Sequence, residues 1–259
     1  THRRSSAASD VYKRQGLIAR RMKDGPFDRP DSRFNTLKGW TWIGCYGGYY
    51  LQSDLLHKQG FEHGFFTRLW HGRGPDELAG YVSAGISVHR PQQIHSGIVL
   101  NASDARQDPW PEADGLVSDR GGQSLWVCGA DCTPVLIADP GTGHAAACHA
   151  GWRGVAAGIL ITALDQLVER GARREDLVVA LGPAVSGPCY QVGDEVVKAV
   201  SAAVPNKASL SDAGALLLDE QPGRHRLDIR TAARVQLQGA GILCAVSYTH
   251  LTLPTISDV

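Results

Sequence analysis

Residues 144–171 read HAAACHAGWRGVAAGILITALDQLVERG, and the spacing of the apolar residues changes partway along this stretch. The first eight residues, HAAACHAG, are almost continuously small and apolar, which is typical of a buried strand. After His149 the apolar residues recur every three or four positions until a glycine ends the pattern. These positions are Val155, Ile159, Leu160, Ala163, Leu164, Leu167 and Val168. The stretch therefore predicts a strand that is followed directly by a helix.

Short apolar segments on both sides predict further strands and helices. We expect strands at residues 61–68, 86–100, 124–131, 134–139, 176–183 and 226–229, helices at 195–204 and 231–241, and a strand and turn at 40–50. No repeat, coiled coil or domain-sized shift in composition interrupts this order. The pattern favours one mixed α/β domain.

The two ends of the chain do not continue these patterns. Residues 1–15 (THRRSSAASDVYKRQ) and 246–259 (VSYTHLTLPTISDV) show neither helical nor strand periodicity. The peptides DVYKRQ and VSYTH can be encoded by opposite strands of one short DNA sequence, which resembles a sequencing adapter. We therefore predict that both segments are cloning or assembly scars, that the domain covers residues 16–245, and that its natural C-terminus is missing. The alternative is a pair of natural disordered tails.

The composition excludes several kinds of partner. The chain has 259 residues with 26 Lys and Arg against 26 Asp and Glu, so we expect no broad cationic surface for nucleic acid or anionic lipid. No stretch has the roughly 18 apolar residues that cross a bilayer, and no secretory pattern is present. Six cysteines without a C-x-x-C pair indicate free thiols in a reducing compartment. We therefore expect a cytoplasmic protein that binds neither nucleic acid nor membrane.

Three short turns each offer a side chain that can bind a metal. His95 lies in QQIHSG, Cys132 in GADCTP and His149 in CHAGWRG, and each turn follows or ends a predicted strand. Strand ends are where an α/β scaffold exposes side chains into a cleft, so these three are candidates to converge. Two imidazoles and one thiolate suit zinc, with a fourth position open for water or substrate.

The same residues fit two other interpretations. Cys132 and His149 can form a thiolate–imidazole dyad, as in a nucleophilic hydrolase that needs no metal. Alternatively, His95 and His149 only cap turns and Cys132 packs in the core. The spacing alone leaves all three interpretations open.

Charged residues near the turns are candidates for substrate binding or catalysis. Arg153 lies where the long helix is predicted to begin and is a candidate anchor for phosphate or a carboxylate. Arg68 in HGFFTR is a second candidate, with a surface ion pair as its alternative. Asp131, next to Cys132, is a candidate to orient a ligand histidine or to act as a general base, unless it only forms the turn. His63 is interpreted as a turn histidine.

Six segments carry a resemblance to a known family. They are HGFFTR (63–68), QQIHSG (92–97), EADGLVS (112–118), ADCTPVLIAD (130–139), CHAGWRG (148–154) and LGPAVSGPCYQVGDEV (181–196). Together they resemble the multicopper polyphenol oxidase or laccase-like proteins, which are also described as purine nucleoside phosphorylases and as peptidoglycan-editing factors. The resemblance implies a single-domain α/β fold, a layered α/β/β/α sandwich with mixed sheets. It also implies that His95, Cys132 and His149 bind zinc.

The function implied by this resemblance is a zinc-dependent purine nucleoside phosphorylase. Such an enzyme would cleave adenosine, inosine and S-methyl-5′-thioadenosine with phosphate, and would also deaminate adenosine. Cys132, His149 and Asp131 would be catalytic, and Arg68 and Arg153 would bind substrate or phosphate.

Three alternatives are kept. The first is a hydrolase that edits peptidoglycan precursors, and the second is a copper-dependent polyphenol oxidase. Copper can occupy a site of two histidines and one cysteine, but Met22 is the only methionine and no His-x-His pair occurs, so zinc is favoured. The third is a domain that only binds a metal or a partner.

Overall fold

The structure is a computed structural model that describes residues 37–45, 48–70, 72–82, 87–204 and 208–248. The predicted scar at 1–15 and most of the one at 246–259 lie outside these residues. The chain divides into two compact units, one up to Val88 and one from His89 onward. The assignment of 16–245 to one domain stays a prediction.

The first unit is built on an antiparallel sheet in the order β1-β2-β3. Its elements are β1 (Trp40–Cys45), β2 (Gly48–Ser53), α1 (Asp54–Lys58), β3 (Phe65–Phe66), a 3₁₀ turn (Arg68–Trp70) and α2 (Pro75–Val82). β1 pairs antiparallel with β2, which confirms a strand within the segment predicted at 40–50, whereas residues 46 and 47, where the turn is expected, lie outside the described residues. The predicted strand at 61–68 is mostly irregular, since only Phe65 and Phe66 pair with β2. Aromatic packing fixes this unit, with Trp40 and Phe65 edge to face at 5.7 Å between ring centroids.

The remaining elements follow in chain order. The strands are β4 (Ser87–His89), β5 (Val99–Asn101), β6 (Gly115–Val117), β7 (Gln123–Leu125), β8 (Thr133–Ala138), β9 (Ala145–Ala150), β10 (Val178–Leu181), β11 (Gln191–Gly193), β12 (Leu216–Leu218), β13 (Arg224–Leu227) and β14 (Cys244–Ser247). The helices are α3 (Trp152–Ala156), α4 (Ile159–Glu169), α5 (Asp194–Ala202), α6 (Ala208–Asp212) and α7 (Ile229–Gly239). Short 3₁₀ turns cover Ala102–Asp104, Arg174–Asp176 and Gly187–Cys189.

A mixed six-stranded sheet in the order β14-β10-β8-β9-β6-β5 forms the centre of the second unit. β5 runs parallel to β6 and β14 runs parallel to β10, whereas the other neighbouring strands are antiparallel. A smaller antiparallel sheet has the order β11-β13-β12. Apolar residues of the large sheet, such as Val135 and Leu181, share one buried core with residues of α4 and α7, such as Leu164 and Leu237. The predicted mixed α/β class with mixed sheets is confirmed.

The helix predicted after His149 is interrupted. Gly158 has a φ of +78°, so the chain forms α3, turns through a left-handed residue and continues as α4. Glycine adopts this conformation without the steric cost that a β-carbon brings. The apolar face predicted for the helix is confirmed for Ile159, Leu160 and Leu164 of α4, which are fully buried, whereas Val168 is exposed. No helix within the described ranges has the length and apolar character needed to cross a membrane.

Two of the predicted strands are partly irregular, because their main-chain groups form hydrogen bonds with side chains and not with a neighbouring strand. The strand predicted at 86–100 is instead β4 and β5 with an irregular segment between them, where the N–H groups of residues 94–96 donate to the carboxylate of Asp114. The strand predicted at 124–131 ends at Leu125. Beyond it, the N–H and carbonyl of Cys128 bond to the side-chain amide of Gln93 at 2.6 and 2.7 Å. Both irregular segments are therefore held by specific polar contacts.

β14 extends two residues past the predicted domain boundary at Ala245. Val246 and Ser247 pair in parallel with Ala180 and Leu181. Such pairing uses main-chain groups, which every non-proline residue carries. It is therefore compatible both with a natural segment and with a cloning or assembly scar. The assignment of 246–259 to a scar stays a prediction.

Candidate metal centre

The three predicted ligands come together in the second unit. Cys132 directly precedes β8 and His149 lies near the end of β9, and these two strands are antiparallel neighbours. His95 comes from the irregular segment before β5. One ligand atom from each residue lies within 4.8 Å of the others, and the two imidazole centroids are 4.9 Å apart. His149 is buried, Cys132 is half-buried and His95 is exposed, so the cluster opens to solvent on the His95 side.

Glycines of the same motifs allow this close approach. A β-carbon on Gly151 would lie 2.5 Å from the sulfur of Cys132, and one on Gly97 would lie 2.8 Å from the β-carbon of Ala157. Non-bonded carbon and sulfur atoms do not approach so closely, so a side chain at either glycine would displace its neighbour. The missing side chains let the His95 turn and the Cys132 turn close on the segment that follows His149.

No role for Asp114 was predicted from the sequence, and the structure places this residue at the centre of the cluster. Asp114 is fully buried, and its Oδ1 accepts from Nδ1 of His149 at 2.9 Å and from the N–H of His95 at 3.0 Å. Burial by itself would raise the pKa of Asp114, but the hydrogen bonds from His149, Ser96 and Ile94 lower it below the usual value. The group is therefore an ionised carboxylate. Its position next to a glycine at the start of β6, within EADGLVS, was the only available signal.

The thiol of Cys132 needs a cation to ionise at neutral pH. Burial, followed by the negative charges of Asp131 and Asp114, raises the pKa of Cys132, and Arg153 only partly opposes this. A divalent metal ion would reverse the balance, because thiolate ligands are deprotonated on binding. The electrostatics therefore favour a metal ligand over a free thiolate nucleophile.

Arg153 and Asp131 both lie beside the cluster. Arg153 is exposed in the first turn of α3, and its guanidinium stacks over the ring of Trp152 at 4.5 Å. Asp131 is exposed, and its carbonyl accepts from Val185 at 3.0 Å. The carboxylate that contacts the ligand His149 is that of Asp114 and not that of Asp131. The role of Asp131 as a general base stays a prediction.

Tyr190 is a further residue near the cluster to which the sequence assigned no chemistry. It follows the 3₁₀ turn Gly187–Cys189 and is half-buried. Burial, with smaller contributions from Cys132 and Asp131, raises the pKa of Tyr190 to about 12. The phenol therefore stays protonated at neutral pH and can donate a hydrogen bond.

Two predicted residues belong to the first unit. His63 accepts from the N–H of Ser53 and contacts the carbonyl of Phe61, both at 2.8 Å, so main-chain groups occupy both ring nitrogens. Burial lowers the pKa of His63, and its two main-chain contacts fit its interpretation as a turn histidine. Arg68 is exposed at the start of its 3₁₀ turn, and its role in phosphate binding stays a prediction.

The donor set fits zinc. Two imidazoles and one thiolate are borderline and soft ligands that zinc accepts, and three protein ligands leave a fourth position for substrate. The absent side chain of Gly151 keeps space beside the sulfur. Within the described part of the chain, this is the one group of three or more His, Cys, Asp or Glu residues arranged to hold a metal ion. The residues can hold one metal ion, and zinc as its identity is a proposal.

Sequence comparison links the chain to a known family and to named relatives. A model of the family "Multi-copper polyphenol oxidoreductase laccase" matches residues 77–257. A Synechocystis protein named purine nucleoside phosphorylase is 36% identical over 220 residues, which cover 78% of this chain and 83% of the relative. The purine nucleoside phosphorylase YlmD of Geobacillus stearothermophilus is 38% identical over 134 residues, covering 51% of this chain and 47% of that protein.

Solved structures share the fold. The crystal structure of YlmD from Geobacillus stearothermophilus aligns with a TM-score of 0.68 and 26% identity, covering 81% of this chain and 88% of that one. A Neisseria meningitidis protein aligns with a TM-score of 0.59 and 26% identity, covering 82% and 88%. Both matches cover most of each chain, so the similarity reaches beyond the ligand motifs.

Proposed function

On the grounds that this chain belongs to the multi-copper polyphenol oxidoreductase laccase family, we propose that it is a zinc-dependent purine nucleoside phosphorylase. Its proposed substrates are adenosine, inosine and S-methyl-5′-thioadenosine, and it also deaminates adenosine. The naming of relatives as purine nucleoside phosphorylases supports the reaction class. The convergence of His95, Cys132 and His149 within 4.8 Å is the observation that carries the proposal.

In the proposed phosphorolysis, the side chains of the site have separate roles. A phosphate oxygen attacks C1′ of the ribose, the bond from C1′ to the purine nitrogen breaks, and the base leaves after taking up a proton. Arg153 binds the phosphate, and its stacking on Trp152 limits the positions of the guanidinium. Arg68 is the second proposed phosphate ligand. His95, Cys132 and His149 would hold the zinc ion, which would supply polarisation of a substrate oxygen and activation of water.

Two residues beside the cluster supply or accept protons in this proposal. Asp131 is exposed and adjacent to Cys132, where it serves as general base. Tyr190 is protonated at neutral pH, as tyrosines ordinarily are, burial raises its pKa further to about 12, and it donates a hydrogen bond to the substrate. Asp114 is buried and contacts ligands, so it takes no direct part in proton transfer.

The experiment that tests this proposal is product analysis with the full chain. Zinc-loaded protein is incubated with adenosine and inosine, with and without phosphate, and bases and nucleosides are separated by chromatography. The proposal expects free base only with phosphate, and inosine from adenosine in either condition. Cys132→Ala is expected to lose both zinc and turnover, whereas Cys244→Ala, which changes an exposed cysteine of β14, keeps both. Zinc binding without any turnover would contradict the proposal and leave a metal-binding domain.

An editing hydrolase for peptidoglycan precursors is the second candidate, because one contact favours it. Asp114 and His149, together with Cys132, have the composition of a thiol, imidazole and carboxylate triad. The raised pKa of Cys132 counts against a nucleophile that works without metal. Turnover of a muramyl peptide that does not depend on phosphate would support this candidate over the phosphorylase.

Copper-dependent polyphenol oxidation is distinguished by its co-substrate. It predicts oxygen uptake with a phenol and several copper ions per chain, whereas the described residues bring together one group of three donors. Measuring oxygen consumption after copper loading separates this activity from both others.

A further inference from the structure

We propose that Asp114 is a positioning residue that fixes both histidine ligands of the metal centre through one buried carboxylate. This inference rests on the proposed metal site and not on the identity of the substrate. Asp114 is fully buried at the start of β6, while His95 and His149 belong to separate segments of the chain. A single side chain between two ligands can set the geometry of both.

The carboxylate is saturated by donors. Oδ1 accepts from Nδ1 of His149 and the N–H of His95, at 2.9 and 3.0 Å. Oδ2 accepts from the N–H of Ile94 at 3.2 Å and from the N–H and hydroxyl of Ser96 at 2.6 and 2.8 Å. An ionised carboxylate only accepts hydrogen bonds, so each of these partners must present a hydrogen.

The contact with His149 selects its tautomer. Because Nδ1 carries the hydrogen of this contact, the neutral imidazole has its lone pair on Nε2, which is the nitrogen available to the metal. The main chain supports the same alignment, since the N–H of His149 donates to the carbonyl of Asp114 at 2.7 Å. The imidazole of His149 is thereby fixed both in orientation and in protonation pattern.

The contacts with residues 94–96 hold His95 in an unusual conformation. His95 has a φ of +60°, a region that side-chain-bearing residues rarely adopt, and no other non-glycine residue in the described ranges has a positive φ. Three successive N–H groups can point at one carboxylate only when the chain turns in this way, as in an anion-binding nest. The N–H of Asp114 also donates to the carbonyl of Ile98, at 3.0 Å, which closes the loop on itself. Asp114 therefore stabilises the strained turn that presents His95.

A second buried aspartate offers a matched control. Asp139 is 2% exposed, and its carboxylate accepts from the N–H groups of Gly141 and Thr142 at 3.1 and 3.0 Å and from the Thr142 hydroxyl at 2.5 Å. It closes the turn between β8 and β9 but touches no candidate ligand. Asp139→Asn therefore reports the cost of removing a buried, turn-closing carboxylate without a role at the metal centre.

The first test reads the tautomer in metal-free full-length protein by ¹⁵N NMR of the imidazoles. The resonances of His149 are assigned by their loss in His149→Gln. We expect wild-type His149 to carry its hydrogen on Nδ1, and Asp114→Asn to move population to the Nε2–H form, while Asp139→Asn leaves it unchanged. A wild-type His149 with its hydrogen on Nε2 would overturn the inference without any variant having to fold.

The second test measures zinc affinity by competition with a chelator. Asp114→Asn is expected to raise the dissociation constant about 10- to 100-fold, and Asp139→Asn to leave it within about twofold, although both variants melt earlier. Equal affinities in the two variants would overturn the inference. If Asp114→Asn does not fold, Ser96→Ala removes one donor to Oδ2 and is expected to raise the constant about threefold, and an unchanged constant there would count against the inference. Failure of nucleoside cleavage with these results intact would overturn the proposed function alone.

Discussion

The thiol of Cys132 lies where a side chain on Gly151 would collide with it, since a β-carbon at this glycine would be 2.5 Å from the sulfur. The two residues lie side by side where β8 begins and β9 ends. Their pairing explains why the motif CHAGWRG needs a glycine directly after the last residue of β9.

Gly151→Ala is expected to displace the sulfur of Cys132 and to raise the zinc dissociation constant at least about tenfold. Zinc content after dialysis and the cobalt-substituted absorption spectrum measure the loss. Gly121→Ala is the control, because a β-carbon there meets nothing within 4 Å. Full zinc content in Gly151→Ala would show that the sulfur is not a ligand in this position.

Arg153→Ala is expected to raise KM for phosphate about 10- to 100-fold, since a hydrogen bond to a charged group contributes about 1.5–3 kcal/mol. Zinc content should not change, because Arg153 is exposed and is not a ligand. Steady-state kinetics at varied phosphate give the comparison. Arg173→Ala, which removes an exposed arginine paired with Glu175, should leave KM unchanged. An unaltered KM in Arg153→Ala would remove this residue from the phosphate site.

Gly158→Ala is expected to destabilise the protein by about 1 kcal/mol or more, because alanine at a φ of +78° is strained. A β-carbon there meets no atom of any other part of the chain within 4 Å, so the cost arises within the local backbone and not from contact with surrounding residues. Chemical denaturation measures the change. Gly80→Ala in α2, where φ is not positive, should instead be neutral or slightly stabilising. Equal stability of both variants would argue against a left-handed break between α3 and α4.

Acid stability is expected to depend on Asp119. Burial would raise the pKa of Asp119, but hydrogen bonds from Gln123 and Ser103 lower it from 3.8 to about 2. A depressed pKa stabilises the fold above the unfolded value near 3.8, and this contribution disappears as the pH falls toward 2.

The free energy of unfolding of Asp119→Asn should therefore be lower than that of the wild type by about 1–2 kcal/mol at pH 7, where the stabilisation by the Asp119 carboxylate is complete. Its stability should also fall less steeply than that of the wild type between pH 4 and 2. Denaturation curves at a series of pH values test this, with the exposed Asp212→Asn as control. If the free energy of unfolding falls equally steeply between pH 4 and 2 in Asp119→Asn and in the wild type, the lowered pKa of Asp119 is contradicted.

Local pattern was sufficient for much of the scaffold. The runs PVLIAD and DLVVALGP became β8 and β10, and the strand at HAAACHAG became β9 with His149 near its end. Continuous apolar runs identify buried strands because each residue faces the core on one side or the other of a covered sheet. The prediction of a single long helix was wrong, because the apolar spacing continues through Gly158 and carries no information about the φ of this glycine.

The sequence by itself determined which chemistry the site can perform. It supplies two imidazoles, one thiol and an arginine, each close to the end of an apolar run, and the imidazoles and the thiol limit the metals that fit. Only the tertiary structure decided that the two imidazoles and the thiol meet, and that Asp114 contacts the imidazole of His149 and the main-chain N–H of His95. Asp114 lies 19 residues from His95 and 35 from His149. Contacts over such separations depend on strand order and register, which side-chain periodicity along one segment does not encode.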